Sequence, residues 1–457
     1  MQPVGDQRTP APVEEVREGA EEVCRQLQQA GYEALFAGGC VRDLALGVAP
    51  VDFDIATSAR PADVAALFPR TVPVGVHFGV TLVVTDKGSF EVTTFRSDGD
   101  YLDHRRPSQV TFSDARGDAA RRDFTINGMF LDPRSDAVID YVGGQQDLAA
   151  GIVRAIGNPE DRFREDRLRM IRAVRFAAKL RSTIEPATLT AVKSSAPKIL
   201  DISWERIGDE LRKILADGEA SRAVVLLSET GLLEKILPEV QAMHGVEQSP
   251  EHHPEGDVFT HTRLCLAGLE EGHDDALRLA VLLHDVAKPR CAERGKDGRI
   301  RFHGHCELGS QMAREICERL RFSNALRDKV GWLVANHLRH LNARKMRLST
   351  LKRFLAEPLF DDLLELIRVD AMAGSGDLDL WHFLKNRKAE LSQEDVAPKP
   401  LLRGGDLLAL GYLAGPGMRE ILDAIYDAQL EHAFEQADDA RRWVLQTFPP
   451  PTKTRVE

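Results

Sequence analysis

The sequence predicts a small α/β head with a mixed sheet, followed by a mainly all-α, elongated body. Three observations predict it. Short β-rich runs recur between Ala34 and Val142; strand patterns nearly vanish after Asp147; and apolar periodicity near 3.6 then dominates, as over residues 164–180, 204–216 and 221–233. At 457 residues the chain holds several domains and can bury real cores.

The elements follow in order. Residues 13–30 read as an amphipathic helix closed by Gly31. Ala34-Leu35-Phe36-Ala37 is a strand run entering the turn Gly38-Gly39, with a helix from Val41. Residues 51–55 alternate Asp with apolar side chains, as a half-buried strand does. Runs 81–84 and 90–95, separated by Asp86-Lys87-Gly88-Ser89, form a hairpin. Residues 138–142 end the β-rich part at Gly143-Gly144. The loop 245–256 and the Pro- and Gly-rich stretch 396–405 read as linkers, and 407–447 as a final helical block. The expected boundaries are 1–30 for the N-terminal helix, 31–147 for the head, 148–244 for a helical neck, 256–392 for a second helical region and 400–457 for a helical tail.

Six scattered cysteines without a C-x-x-C pair fit a reducing compartment. Residues 1–12 carry no apolar signal-peptide core, and no apolar run approaches the ~20 residues of a membrane helix. A cytoplasmic protein without a membrane partner is expected. The net charge of −11 speaks against a general nucleic-acid binder. Yet residues 154–181 hold nine Lys/Arg against four Asp/Glu. A local basic face there, with Arg162, Arg172 and Arg175, suits a phosphate backbone; a solvated helix face accounts for the run equally well.

Asp52 and Asp54 stand two apart on the predicted strand, on one face and about 7 Å apart. Such a pair can hold Mg²⁺, which favours one or two carboxylates plus phosphate oxygens. Two such ions can activate a hydroxyl and stabilise departing pyrophosphate. Glu91, on a later strand, offers a third carboxylate. Gly38-Gly39 lets backbone N–H groups approach a triphosphate, the following helix aims its positive end there, and Arg42 adds a donor. An isolated D-x-D or Gly-Gly is weak; the ordered combination is specific.

Gly38-Gly39-x-x-Arg42-Asp43 followed by Asp52-x-Asp54-Ile55-Ala56-Thr57 resembles the signature of the class II tRNA nucleotidyltransferase (CCA-adding enzyme) and bacterial poly(A) polymerase family, within the DNA polymerase β-like superfamily. The resemblance implies that Asp52 and Asp54 bind the catalytic metals and that Gly38, Gly39 and Arg42 serve the triphosphate. Arg121-Arg122-Asp123-Phe124-Thr125-Ile126-Asn127 resembles the family's second motif, where the arginines and the Asp123–Asn127 pair handle sugar and phosphate. Glu165-Asp166-x-x-Arg169 resembles the nucleotide-selecting motif, and Ser203-Trp204-Glu205-Arg206-Ile207-x-x-Glu210-Leu211 the helix-bracing motif after it. Residues 101–107 resemble the family's flexible loop, with His104 in place of glycine. The similarity covers roughly residues 30 to 240. The implied partners are tRNA, CTP and ATP.

Glu165, Asp166 and Arg169 are expected on one helix, where i+3 and i+4 share a face. An acceptor beside a donor fits the amino group and ring nitrogen of C and A, and rejects U and G by leaving buried groups unpaired. An Asp166–Arg169 ion pair on a plain helix is the competing reading.

His261, His284-Asp285, His303, His305, His337, His340 and Asp370 recur in the second helical region. Their order resembles the HD metal-dependent phosphohydrolase superfamily. The implied ligands are His261, His284, Asp285, His337, Asp370 and one of His303 and His305, with Gly304-His305-x-Glu307 nearer the family pattern. Imidazole with carboxylate suits Mn, Fe, Ni, Co or Zn. Related tRNA nucleotidyltransferases carry an HD domain that hydrolyses phosphate-ended tRNA, and others keep only the fold.

Poly(A) polymerase is the nearest alternative. That subgroup shows Gly followed by two basic residues and Phe, where this chain has Val74-Gly75-Val76-His77-Phe78-Gly79; its basic tail has no counterpart in residues 431–442. An HD phosphohydrolase with a decayed head, or a non-catalytic RNA-binding module, is opposed by the intact Asp52, Asp54 and Asp123. The sequence leaves CCA against A-only addition, the HD metal and the oligomeric state open.

Overall fold

The computed structural model describes residues 13–75, 79–99, 110–251, 253–391 and 397–450. The expectations on residues 1–12, 76–78 and the loop 101–107 fall outside them. The chain divides into two compact units, Met1–Gln241 and Ala242–Glu457.

The first unit opens with α1 (Val13–Gln29), β1 (Ala34–Ala37), α2 (Gly39–Ala45), β2 (Asp54–Thr57), α3 (Pro61–Leu67), β3 (Thr71–Gly75), β4 (Val80–Val84) and β5 (Ser89–Thr94). A short ribbon, β6 (Arg96–Asp98) with β7 (Val110–Phe112), leads to α4 (Ala115–Arg121), β8 (Met129–Asp132), β9 (Ala137–Asp140) and α5 (Gly144–Ala149). Seven of these strands form one sheet in the order β3-β4-β5-β2-β1-β8-β9. β2 runs parallel to β5, while the other paired neighbours run antiparallel, so the sheet is mixed as expected.

Period-two alternation sorts the side chains. Phe36, Ile55, Phe90 and Val92 enter a core closed by α1 and α3, where Ala20, Val23, Leu27 and Val64 also sit. Phe36 meets Phe53 at 5.1 Å between ring centroids, and each buried ring contributes about 2 kcal/mol of burial. Leu35, Ala37, Ala56 and Phe130 face the other way, onto Ala115 and Ala119 of α4. Asp54 and Glu91 belong to this second face by alternation and remain exposed.

Helices then take over: α6 (Pro159–Glu165), α7 (Leu168–Lys179), α8 (Pro186–Ser195), α9 (Trp204–Ala216), α10 (Ala220–Glu229), α11 (Leu232–Ile236) and α12 (Pro238–Gln241). Two short parallel strands persist among them, β10 (Ile152–Val153) and β11 (Thr183–Ile184). The predicted continuous helix around residue 166 does not form. Asp166 has φ −141° and ψ 107°, ending α6, and its backbone N–H still reaches Arg162 O at 3.3 Å.

The second unit packs α13 (Val258–Ala267), α14 (Asp275–Leu283) and α15 (Lys288–Cys291), a hairpin of β12 (Glu293–Arg294) and β13 (Ile300–Arg301), then α16 (His305–Arg319), α17 (Asn324–Asn336), α18 (Leu348–Leu355), α19 (Phe360–Ala373) and α20 (Asp379–Glu390). The final block is three helices, α21 (Gly404–Ala409), α22 (Pro416–Leu430) and α23 (Ala437–Thr447), around Leu407, Tyr412, Ile425 and Val444. Gly411 (φ 93°) and Gly415-Pro416 break the run predicted as one block. No described helix is long and apolar enough to cross a membrane.

Candidate active site and a buried histidine cluster

The head site follows from strand register. Ala37 of β1 pairs with Asp54 of β2, so the turn after β1 lies against that carboxylate. Gly38 has φ +76°, which side-chain-bearing residues rarely adopt, and a Cβ there would lie 2.9 Å from Arg122 Nη1 and 4.0 Å from Asp54 Oδ2. Ile55 pairs with Val92, which sets Asp54 abreast of Glu91 on the neighbouring strand. Asp52 is exposed just before β2 begins. Partial loss of water around the Asp54 carboxyl, then the charges of Asp52 and Glu91, push it up to about 6 against the pull of Arg122. Three carboxylates gathered at one strand end, one of them with a raised proton affinity, fit a divalent cation.

The arginines of the second motif are organised by a residue the sequence reading overlooked. Asp118 is fully buried in α4 and accepts from Arg121 Nε at 2.8 Å and from Arg122 Nε and Nη2 at 3.2 and 3.0 Å. Its spacing of three and four residues from the arginines was the available signal. Arg122 Nη1 also donates to Asn127 O at 3.3 Å.

Asp123 accepts from Asn127 Nδ2 at 3.1 Å and Arg172 Nε at 2.8 Å. Burial opposes its charge, but Arg172, Arg169 and the hydrogen bonds win and hold its carboxyl at about 2. Arg42 is buried, pairs with Asp43 at 2.6 Å and donates to Asn127 Oδ1 at 2.8 Å. Its guanidinium therefore braces α2 against the second motif.

Because the chain breaks between α6 and α7, Asp166 and Arg169 do not share the one helix face expected of them, and the competing Asp166–Arg169 ion pair does not form either. Asp166 accepts two hydrogen bonds from Arg206 of α9, at 2.9 and 3.1 Å. Arg169 pairs with Glu165 at 2.6 Å and donates to Arg121 O at 3.1 Å. The helix-bracing motif thus holds the acid, while the second motif holds the arginine.

Most arginines of the expected basic face over residues 154–181 are ion-paired. Arg162 pairs with Glu165, Arg172 with Asp123 and Arg175 with Glu210, at 2.6, 2.6 and 2.9 Å. Arg154, Arg164, Arg167 and Arg181 likewise meet Asp147, Asp161, Asp201 and Glu219. Most of these acids come from outside the run, which local counting could not show.

In the second unit, His261, His284, Asp285, His305 and His337 converge, all buried. Asp285 lies 3.2 Å from His284 Nε2, 3.6 Å from His305 Nε2 and 3.8 Å from His337 Nε2. His261 Nε2 reaches Asp370 at 3.0 Å. His303 is exposed, so His305 is the member that enters the cluster. Glu255, Cys265 and Lys288, not singled out by sequence, touch it: Glu255 and Cys265 lie 2.6 and 3.4 Å from His261, and Lys288 lies 2.7 Å from Asp285. The Nδ1 atoms of His284, His305 and His337 each meet a backbone carbonyl at 2.7–2.9 Å. Carbonyls can only accept, so Nδ1 carries the proton and Nε2 is left with its lone pair directed inward. Burial, then His284, lowers His337 to about 4, keeping it neutral. His284 Nε2 and Asp285 Oδ1 are buried without hydrogen-bond partners, while Asp285 Oδ2 faces the Lys288 ammonium. Such orphaned donor atoms fit a metal ion of the kind that imidazole and carboxylate bind.

A mixed-sheet head carrying this carboxylate trio beside a glycine turn and arginines defines a nucleotidyltransferase. Comparison with known proteins agrees. Residues 34–154 match the Poly A polymerase head domain, 183–243 the probable RNA and SrmB-binding site of polymerase A, and 257–367 the HD domain. A CCA-adding enzyme of Geobacillus stearothermophilus is 48% identical over 434 residues, covering 93% of this chain and 95% of that one. An A-adding tRNA nucleotidyltransferase of Deinococcus radiodurans is 34% identical over 437 residues, covering 91% and 96%. The crystal structure of the Bacillus stearothermophilus CCA-adding enzyme in complex with CTP superposes with a TM-score of 0.72 at 30% identity, covering 94% and 97%. The chain belongs to the tRNA nucleotidyltransferase family of the CCA-adding enzymes.

Proposed function

We propose that this protein adds CMP and AMP from CTP and ATP to the 3′ end of tRNA. The observation that carries the proposal is the carboxylate trio of Asp52, Asp54 and Glu91 set against Gly38 and Arg122, on a chain alike over nearly its whole length to a CCA-adding enzyme.

The side chains divide the work. Gly38 leaves room for the triphosphate at the strand end. Arg121 and Arg122, oriented by Asp118, present donors to its oxygens. Asp52, Asp54 and Glu91 would hold magnesium, which would supply positive charge to the attacking 3′ oxygen and the leaving pyrophosphate. Asp54, raised to about 6, is mostly ionised near neutral pH and would be available as a metal ligand there. The tRNA 3′ oxygen then bonds the α-phosphorus while the bond to pyrophosphate breaks. Asp166 and Arg169, fixed by Arg206 and Glu165, offer the acceptor and donor that C and A share. Arg162, Arg172 and Arg175 act on RNA indirectly, by bracing α6 and α7.

The test supplies Mg²⁺, labelled CTP and ATP, and tRNAs ending before C, before CA and before A. Extension that stops at CCA supports the reading. Addition of A alone narrows it to the last step, and long A tails on unrelated RNA refute it.

The unpartnered His284 Nε2 and Asp285 Oδ1 favour a second activity, metal-dependent phosphohydrolysis at the histidine cluster. Metal analysis should find about one or two Mn, Fe, Ni, Co or Zn ions per chain, lost in H284A together with phosphodiester hydrolysis. A metal-free wild type that still hydrolyses the ester would refute it.

A further inference from the structure

The β12–β13 hairpin belongs to neither site above, yet it stands beside the histidine cluster. From Lys288 to His303 the chain holds six Lys/Arg against Glu293 and Asp297, a local excess of four positive charges on a chain of net −11. Arg290, Arg294, Lys296, Arg299 and Arg301 are all exposed. Arg294 pairs with Glu247 at 2.8 Å and Arg301 with Asp297 at 2.6 Å. Arg290, Lys296 and Arg299 have no carboxylate partner among the described residues. β13 then runs through Phe302 and His303 into a cavity of about 600 Å³ lined by Asp285, His305, His337 and Trp381.

Unpaired cations leading to aromatic side chains is the combination that holds single-stranded nucleic acid, through its backbone and its bases respectively. The distance matters. At about 3.3 Å per residue, the hairpin tip stands roughly 10 Å from Arg301, further than a single nucleotide's phosphate reaches from the cavity. An acidic peptide would use the cations and leave the aromatic lining idle.

We infer that the hairpin 293–301, with Arg290, is a landing surface for a single-stranded polynucleotide whose phosphate-bearing end enters the cavity at His305 and His337. The inference rests on reading that cavity as a phosphohydrolase centre, and its test separates the two.

Hydrolysis of bis(p-nitrophenyl) phosphate is compared with that of a short RNA ending in a cyclic phosphate, for wild type and for R290E/K296E/R299E. The triple variant should keep turnover of the small ester within about two-fold. Its KM for the RNA should rise about ten-fold, and the slope of log(1/KM) against log[salt] should flatten by about two, at ~0.7 for each phosphate no longer neutralised. An unchanged RNA KM and slope overturn the inference while leaving the hydrolase standing. If the charge reversal also damages ester turnover, R290Q/K296Q/R299Q replaces it, with a smaller rise expected and no rise counting against. A wild type that hydrolyses neither substrate sinks the hydrolase reading; photo-crosslinking then judges the surface alone. RNA carrying a terminal 4-thiouridine should label residues 290–303, and labels confined to residues before 242, or equal competition by poly-glutamate, overturn it.

Discussion

Asp118 ties two arginines to one buried carboxylate, and its loss separates fold from function at the level of single atoms. D118N keeps the shape but removes the charge that both guanidiniums face. The kcat/KM for CTP should fall about 100-fold, the size expected when preorganised donors lose their aim, and D118E should recover part of it. Folding stability should drop by about 3 kcal/mol, since one partner of a buried ion pair is gone. Equal kcat/KM for D118N and wild type would contradict the positioning role. Asp123 makes a pH prediction. Its folded carboxyl sits at about 2, below the ~3.9 of an unfolded Asp. Its contribution is therefore present above pH 4 and is lost as pH falls toward 2. That contribution is roughly 2–3 kcal/mol. In denaturation between pH 4 and 2, D123N should show a flatter loss of stability than wild type. Parallel curves would show that Arg172 does not stabilise the charge.

At the scale of elements, what was legible had a local cause. Strand alternation placed Asp54, the hairpin signal placed Glu91, and helical periodicity returned α9 at Trp204–Ala216. The site residues were readable because Gly38, Asp54, Arg122 and Asp123 lie in short contiguous motifs. The break between α6 and α7 was not readable. No proline or glycine marks it, and it is held by Arg206, forty residues away. The partners of the basic run were hidden for the same reason: Asp123, Glu210 and Glu219 come from other elements. That break has a measurable consequence. R206A leaves Asp166 with the Leu168 N–H at 3.1 Å, too little to fix its carboxylate. Incorporation of CMP and AMP should fall by about ten-fold, with a rising share of UMP and GMP, because discrimination depends on buried groups being held in place. R206K should be intermediate, since a lysine cannot present two donors in a fork. An R206A enzyme with wild-type base choice would remove Asp166 from the selecting apparatus.

At the scale of the whole molecule, two candidate sites lie on two units, and each is assembled from elements inside its own unit. The head and the following helices build one site from Gly38 to Arg206; the helices from α13 to α19 build the other from Glu255 to Asp370. The central claim concerns the first. Its most direct test is single-turnover incorporation of labelled CMP into tRNA lacking its CCA end, comparing wild type with D54A under Mg²⁺. D54A should lose at least about 1,000-fold in rate, while tRNA binding and melting temperature stay near wild type. Incorporation by D54A at the wild-type rate would contradict that claim.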